Sequence, residues 1–108
     1  MIKKQAHQGD VFVKKAMLPE ECKIVEPENG KTILALGEAT GHHHRFEEKH
    51  VKMYHANDNS GRRFIVIEGK PATLYHEEHA PIEFAPGTYE IFIARQWSDD
   101  EEPIKVVD

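Results

Sequence analysis

Apolar and polar residues alternate in short runs along the chain, and most runs stop at a glycine, proline or asparagine. In "DVFVKK" (10–15), Val11 and Val13 fall on one face, the period of two expected of a β-strand with one side buried. "CKIVE" (22–26) and "KTILAL" (31–36) flank Asn29-Gly30. Both residues of that dipeptide tolerate positive φ, so it predicts a two-residue hairpin turn pairing the flanking strands. Further strands are predicted at "HVKMYH" (50–55), "RRFIVIE" (62–68), "ATLYHE" (72–77), "PIEF" (81–84), "YEIFIARQW" (89–97) and "IKVV" (104–107), with turns at "NDNSG" (57–61) and "APGT" (85–88). The continuous apolar run in 62–68 predicts a strand covered on both faces. No apolar stripe repeats every 3.6 residues. The best helical segment is one turn at "LPEEC", opened by Pro19. The pattern predicts an all-β fold spanning 1–108 as one domain, a small barrel or sandwich with at most one short helical turn.

Composition narrows the function. A chain of 108 residues supports one hydrophobic core. Its formal charge of −5 and the acidic run "SDDEEP" (98–103) leave no basic face for a nucleic-acid backbone. No apolar run is long enough to span a bilayer, and the N-terminal lysines precede no apolar leader segment. Cys22 is the single cysteine. A small domain without disulfide staples points to a reducing compartment, and a cytoplasmic protein is expected. Small open β domains leave edge strands, which a homodimer would hide; "QGDVFVKK" is the segment expected to cross over.

The departure from ordinary composition is eight histidines, three of them consecutive. If "HHHRF" is extended, His42 and His44 share a face with Phe46, while His43 and Arg45 point the other way. Two imidazoles spaced this way can bind one ion. His76 and His79 in "HEEHAP" reach the same side only if a tight turn or bulge intervenes near Glu77-Glu78. His42, His44, His76 and His79 are therefore the expected metal ligands, with Glu48 the first substitute. Gly37 and Gly41 bracket "EAT" and let the backbone approach closely; Glu38 within that loop is a weak catalytic candidate, as general base or as the carboxylate orienting an imidazole. The bland readings are a solvated polar triplet and a surface "HEEH" with local charge pairing. His7, His43 and His50 are expected to be exposed, and His55 to be partly buried and hydrogen-bonded.

The string Gly37, His42-x-His44, Glu48 resembles the first metal-binding motif of the cupins, small β-barrels carrying two histidines and a glutamate on neighbouring strands. The resemblance implies a divalent metal at a barrel mouth. The second cupin motif, a Pro-x-Gly turn followed closely by a ligand histidine, is not matched: Pro86-Gly87-Thr88-Tyr89 has none after it. "GEATGHHH" with "HEEHAPIEFAPGTYE" also resembles short bacterial proteins of no assigned function that share Thr-Gly-His-x-His and His-Glu-Glu-His stretches, which match His42, His44, His76 and His79.

Nitrogen donors without thiolates suit Zn, Fe, Ni, Mn or Cu. Two functions are expected on this basis. One is a cupin-like metal-binding β-barrel, enzymatic toward a small molecule, with an open coordination position. The other is a non-catalytic accessory protein whose histidines form a structural metal site or stabilise a dimer.

Overall fold

The computed structural model describes residues 2–36 and 43–93. Eleven strands run in the order β1 (Ile2–Lys3), β2 (Gln5–Gln8), β3 (Val11–Lys15), β4 (Cys22–Val25), β5 (Thr32–Leu36), β6 (His43–Phe46), β7 (Val51–Ala56), β8 (Arg63–Ile67), β9 (Ala72–His76), β10 (His79–Phe84) and β11 (Gly87–Ile93). They form two sheets, β1-β10-β9-β6-β5 and β2-β3-β11-β8-β7-β4. All pairings are antiparallel except β1 with β10. No helix occurs among the described residues, and the turn expected at "LPEEC" is an irregular bend leading into β4. The expected strand at 104–107 lies outside the described residues, with Trp97 and the acidic run.

The inner faces of the sheets meet in a core of Val11, Val13, Leu34, Phe46, Val51, Met53, Ile65, Ile67, Leu74, Phe84 and Tyr89. The alternation read from "DVFVKK" holds, with Val11 and Val13 buried. Phe84 packs edge-on against both Phe46 and Tyr89, the geometry aromatic quadrupoles favour. The Tyr89 hydroxyl donates to the Ala85 carbonyl at 2.6 Å. Central β8 is covered on both sides, as its apolar run predicts: Ile65 and Ile67 join the core, while Phe64 is fully buried on the opposite face beneath the Arg62 guanidinium.

One pairing differs from expectation. The Asn29-Gly30 turn forms, with φ of 52° and 78°, and Glu28 and Lys31 exchange backbone hydrogen bonds at 2.9 Å. The two strands beyond it do not pair. β4 joins β7 in the six-stranded sheet, whereas β5 joins β6 in the other. The dipeptide reverses the chain without choosing partners for the flanking strands: each completes a different sheet, and the turn becomes a corner of the sandwich. The hydropathy pattern does not predict β2 either, because "QAHQ" has no apolar alternation; it pairs with β3 through a two-residue turn at Gly9-Asp10.

Candidate functional site

Strand polarity collects one set of strand ends at one mouth of the sandwich: the C-terminal ends of β2, β5, β9 and β11 and the N-terminal ends of β3, β6, β8 and β10. His44, His76 and His79 lie there. β6 buries His44 and Phe46 on its inner face, as alternation requires. β9 and β10 are joined by a two-residue turn at Glu77-Glu78, which sets His76 directly opposite His79. Directly opposed residues of an antiparallel pair project from the same face, so the tight turn removes the obstacle that their three-residue spacing posed. The ring centroids of His44 and His76 are 4.3 Å apart, those of His76 and His79 4.7 Å, and those of His44 and His79 5.8 Å.

The two stretches are held together from outside by Glu77. Its carboxylate accepts the His43 amide and the Arg45 guanidinium, both at 3.1 Å, tying the β9–β10 turn to the start of β6. Arg45 also donates to Glu47 at 2.8 Å.

From inside, the organising residue is Gln8, which has 2 % of its surface exposed. Its amide nitrogen donates to the Leu74 carbonyl at 3.0 Å and to the Ala80 carbonyl at 2.9 Å. The register of β9 and β10 shifts between His79 and Ile82, a bulge that frees the Ala80 carbonyl to accept. With both amide hydrogens used, Gln8 Oε1 can only accept, and its partner is His44 Nδ1 at 2.9 Å. His44 Nδ1 therefore carries a hydrogen, and in the neutral ring the lone pair sits on Nε2. That is the tautomer a metal-ligating imidazole adopts when its far nitrogen donates to a neighbour. His44 Nε2 lies 3.9 Å from an Asp10 carboxylate oxygen on the β2–β3 turn.

Gly9 closes this side. Its φ is +61°, and a methyl group there would lie 2.9 Å from His79 Nε2 and 3.4 Å from His44 Cε1. Only glycine accommodates both the dihedral and the approach.

His76 is differently set. Its Nδ1 accepts the Glu78 amide at 3.0 Å, so in the neutral ring the hydrogen is on Nε2. Among the described residues, no three His, Cys, Asp or Glu side chains are arranged to hold one ion. The donor set is nonetheless of the right kind: three imidazoles around one tetrahedral ion, with metal–nitrogen bonds of about 2 Å, have ring centroids roughly 5 Å apart. The observed separations bracket that figure.

His42 and Glu38 lie outside the described residues. Glu48 stands elsewhere: one carboxylate oxygen accepts the Thr73 amide at 3.0 Å, extending the ladder where β6 has ended. The other is buried without a hydrogen-bond partner. Thr73 is three residues from His76 along β9, roughly 10 Å at strand rise, so the structure does not bring Glu48 to the histidines. His55 is exposed rather than partly buried, and His50 is half-buried, its Nε2 3.0 Å from the Pro71 carbonyl oxygen. Sequence reading misses Gln8, Gly9 and Asp10. The only signal is turn chemistry, a Gly-Asp pair after a polar run.

An open groove of about 480 Å³, lined by Lys3, Thr73, Pro81, Ile82 and Glu83, contains none of the histidines. No helix of the described residues is long and apolar enough to cross a membrane.

No curated protein and no solved structure matches the chain. A family model does, over residues 7–94: the domain of unknown function DUF8820. The match covers most of the chain, including Gln8, Gly9 and the three described histidines of the cluster, and the chain belongs to that family.

Proposed function

We propose that this member of the DUF8820 family is a small cytoplasmic metal-binding protein of cupin-like type that acts on a small molecule at the mouth of its sandwich. The ligands are His44, His76 and His79, with His42 as the fourth nitrogen donor expected from sequence. The ion is a divalent transition metal, Zn, Fe, Ni, Mn or Cu, as nitrogen donors without thiolates favour. The observation that carries the reading is the Gln8–His44 pair. A buried glutamine with both amide hydrogens committed to backbone carbonyls leaves the neutral His44 ring one tautomer, with its lone pair on Nε2, in a ring that lies against two further imidazoles.

Each residue has a task in that chemistry. Gln8 fixes the His44 ring and raises its basicity by accepting the Nδ1 hydrogen. Gly9 lets the β2–β3 turn close over His79 without steric conflict. Glu77 keeps the two histidine stretches in register. His76 would offer an ion its Nδ1 lone pair, which now accepts the Glu78 amide. A bound metal would supply a Lewis acid that polarises an oxygen or activates water. The position of the cluster at an open end, with His79 exposed, favours a site reached by small molecules over a closed structural one.

The test is calorimetric titration of metal-free protein with Zn²⁺, Mn²⁺, Ni²⁺ and Fe²⁺, repeated with His44→Ala and Gln8→Glu. One equivalent bound, abolished by His44→Ala, supports the site. Binding unaffected by His44→Ala would exclude it.

A further inference from the structure

At the same mouth lies a cation that the histidine site does not use. Arg63 begins β8, two residues before Ile65 and four before Ile67, both in the core, so strand alternation puts it on the inner face of the six-stranded sheet. Its guanidinium is half-buried and crosses the gap between the sheets to donate one Nη1 hydrogen to the Leu34 carbonyl of β5, at 2.5 Å. That carbonyl is available because the β5–β6 register shifts between Ile33 and Ala35, opposite His44 and Arg45. Burial pushes the guanidinium below its ordinary value; it stays protonated nonetheless.

The other two described arginines are neutralised. Arg62 has a two-pronged pair with Glu90 at 2.9 and 3.1 Å, and Arg45 has Glu47 and Glu77. Among the described residues no carboxylate forms an ion pair with Arg63. The groups on its own sheet at this level are His55, its opposite number on β7, and Ile91 on β11. An inward-facing, desolvated cation whose one acceptor among the described residues is a neutral carbonyl is unfavourable by itself. It becomes favourable when an anion arrives from outside.

We infer that Arg63 is the recognition point for a carboxylate on a small organic acid that enters the mouth beside the histidines. One guanidinium carries one charge, and with Nη1 partly committed to Leu34 it still presents a two-donor edge, which matches a planar carboxylate. A phosphate dianion would need more donors than this site shows, on a chain of net charge −5. Leu34 is on β5 and His44 on adjacent β6, strands roughly 5 Å apart. A short acid anchored on Arg63 would thus be held one strand away from His44. The inference deepens the metal reading by naming what the ligand carries, and rests on it only for the ligand's second anchor.

The test uses the full chain, ¹⁵N-labelled and freed of metal by chelation, so that it reads Arg63 and not the histidine site; the metal reading is tested separately by metal affinity. Propionate is titrated at constant ionic strength while the backbone amide resonances of Phe64, Ala35 and His44, present in wild type and variants alike, are followed, with inorganic phosphate as a parallel arm. A saturable shift with propionate is expected, weakened about tenfold or more in Arg63→Gln, as loss of a charge-assisted pair implies, and less in Arg63→Lys. Without ligand, Arg63→Gln should melt at or above the wild-type temperature, since it keeps a donor for Leu34 and removes the charge. Absence of a saturable shift, an equal response in Arg63→Gln, or preference for phosphate would overturn the proposal. So would a lower melting temperature for Arg63→Gln, which would make Arg63 a strut between the sheets.

Discussion

Two residues apart on β6, Phe46 and His44 are buried almost equally, at 0 % and 3 % exposure, yet the surroundings are opposite. Phe46 meets Phe84 and the aliphatic core, contacts that fold the chain and specify no chemistry. His44 meets Gln8, two further imidazoles and the Asp10 carboxylate. One end of the sandwich is filled as a stability problem is solved, with close-packed rings. The other end buries polar groups, each needing its own partner, which a fold selected for stability alone has no reason to do. The difference separates the packing that holds the protein together from the polar cluster on which the metal proposal rests.

Substitutions at the two ends sharpen that contrast. Phe46→Ala removes a fully buried aromatic and should destabilise by about 3–5 kcal/mol in urea unfolding, with no specific effect on metal affinity beyond that of unfolding. Gln8→Leu fills the same space but strands the Leu74 and Ala80 carbonyls and His44 Nδ1. A loss of about 2–3 kcal/mol is expected, from roughly 1–3 kcal/mol per orphaned buried group partly relieved by water. Unlike Phe46→Ala, it should also weaken metal binding about 10–100-fold in the fraction that remains folded.

Gly9→Ala forces an L-residue to a φ of +61° and a methyl against the His79 ring. It should cost about 1 kcal/mol by denaturant titration, and the His79 ring resonances should move while those of Phe46 do not. His44→Leu in metal-free protein puts an apolar residue of similar volume in place of the ring but leaves the buried Gln8 Oε1 without its donor, so a loss of about 1 kcal/mol is expected, the low end for one orphaned group. A large loss there would mean that the histidine is structural and would erase the contrast with Phe46.

Much of this architecture is legible in the chain. Alternation in "DVFVKK", the apolar run in 62–68 and the absence of a helical stripe point to an all-β fold, because those signals are local and set by side-chain period. The placement of His44 beside Phe46 comes from the same period. The opposition of His76 and His79 comes from requiring a tight turn at Glu77-Glu78. Partnership at a distance is not legible. Asn29-Gly30 dictates a turn, but which sheet each strand joins depends on edges formed by residues far along the chain. Gln8 is an ordinary polar residue by sequence; its role arises from contacts 36, 66 and 72 residues away. Spacing alone draws Glu48 toward the histidines, and the end of β6 instead turns its carboxylate to the Thr73 amide.

The most direct measurement of the central claim is elemental analysis of the protein purified without an affinity tag, beside a His42→Ala/His44→Ala double variant prepared identically. The wild-type chain should carry close to one transition-metal ion and the variant almost none, with both giving the same β-sheet circular dichroism. Equal metal content in the two folded proteins would contradict the account.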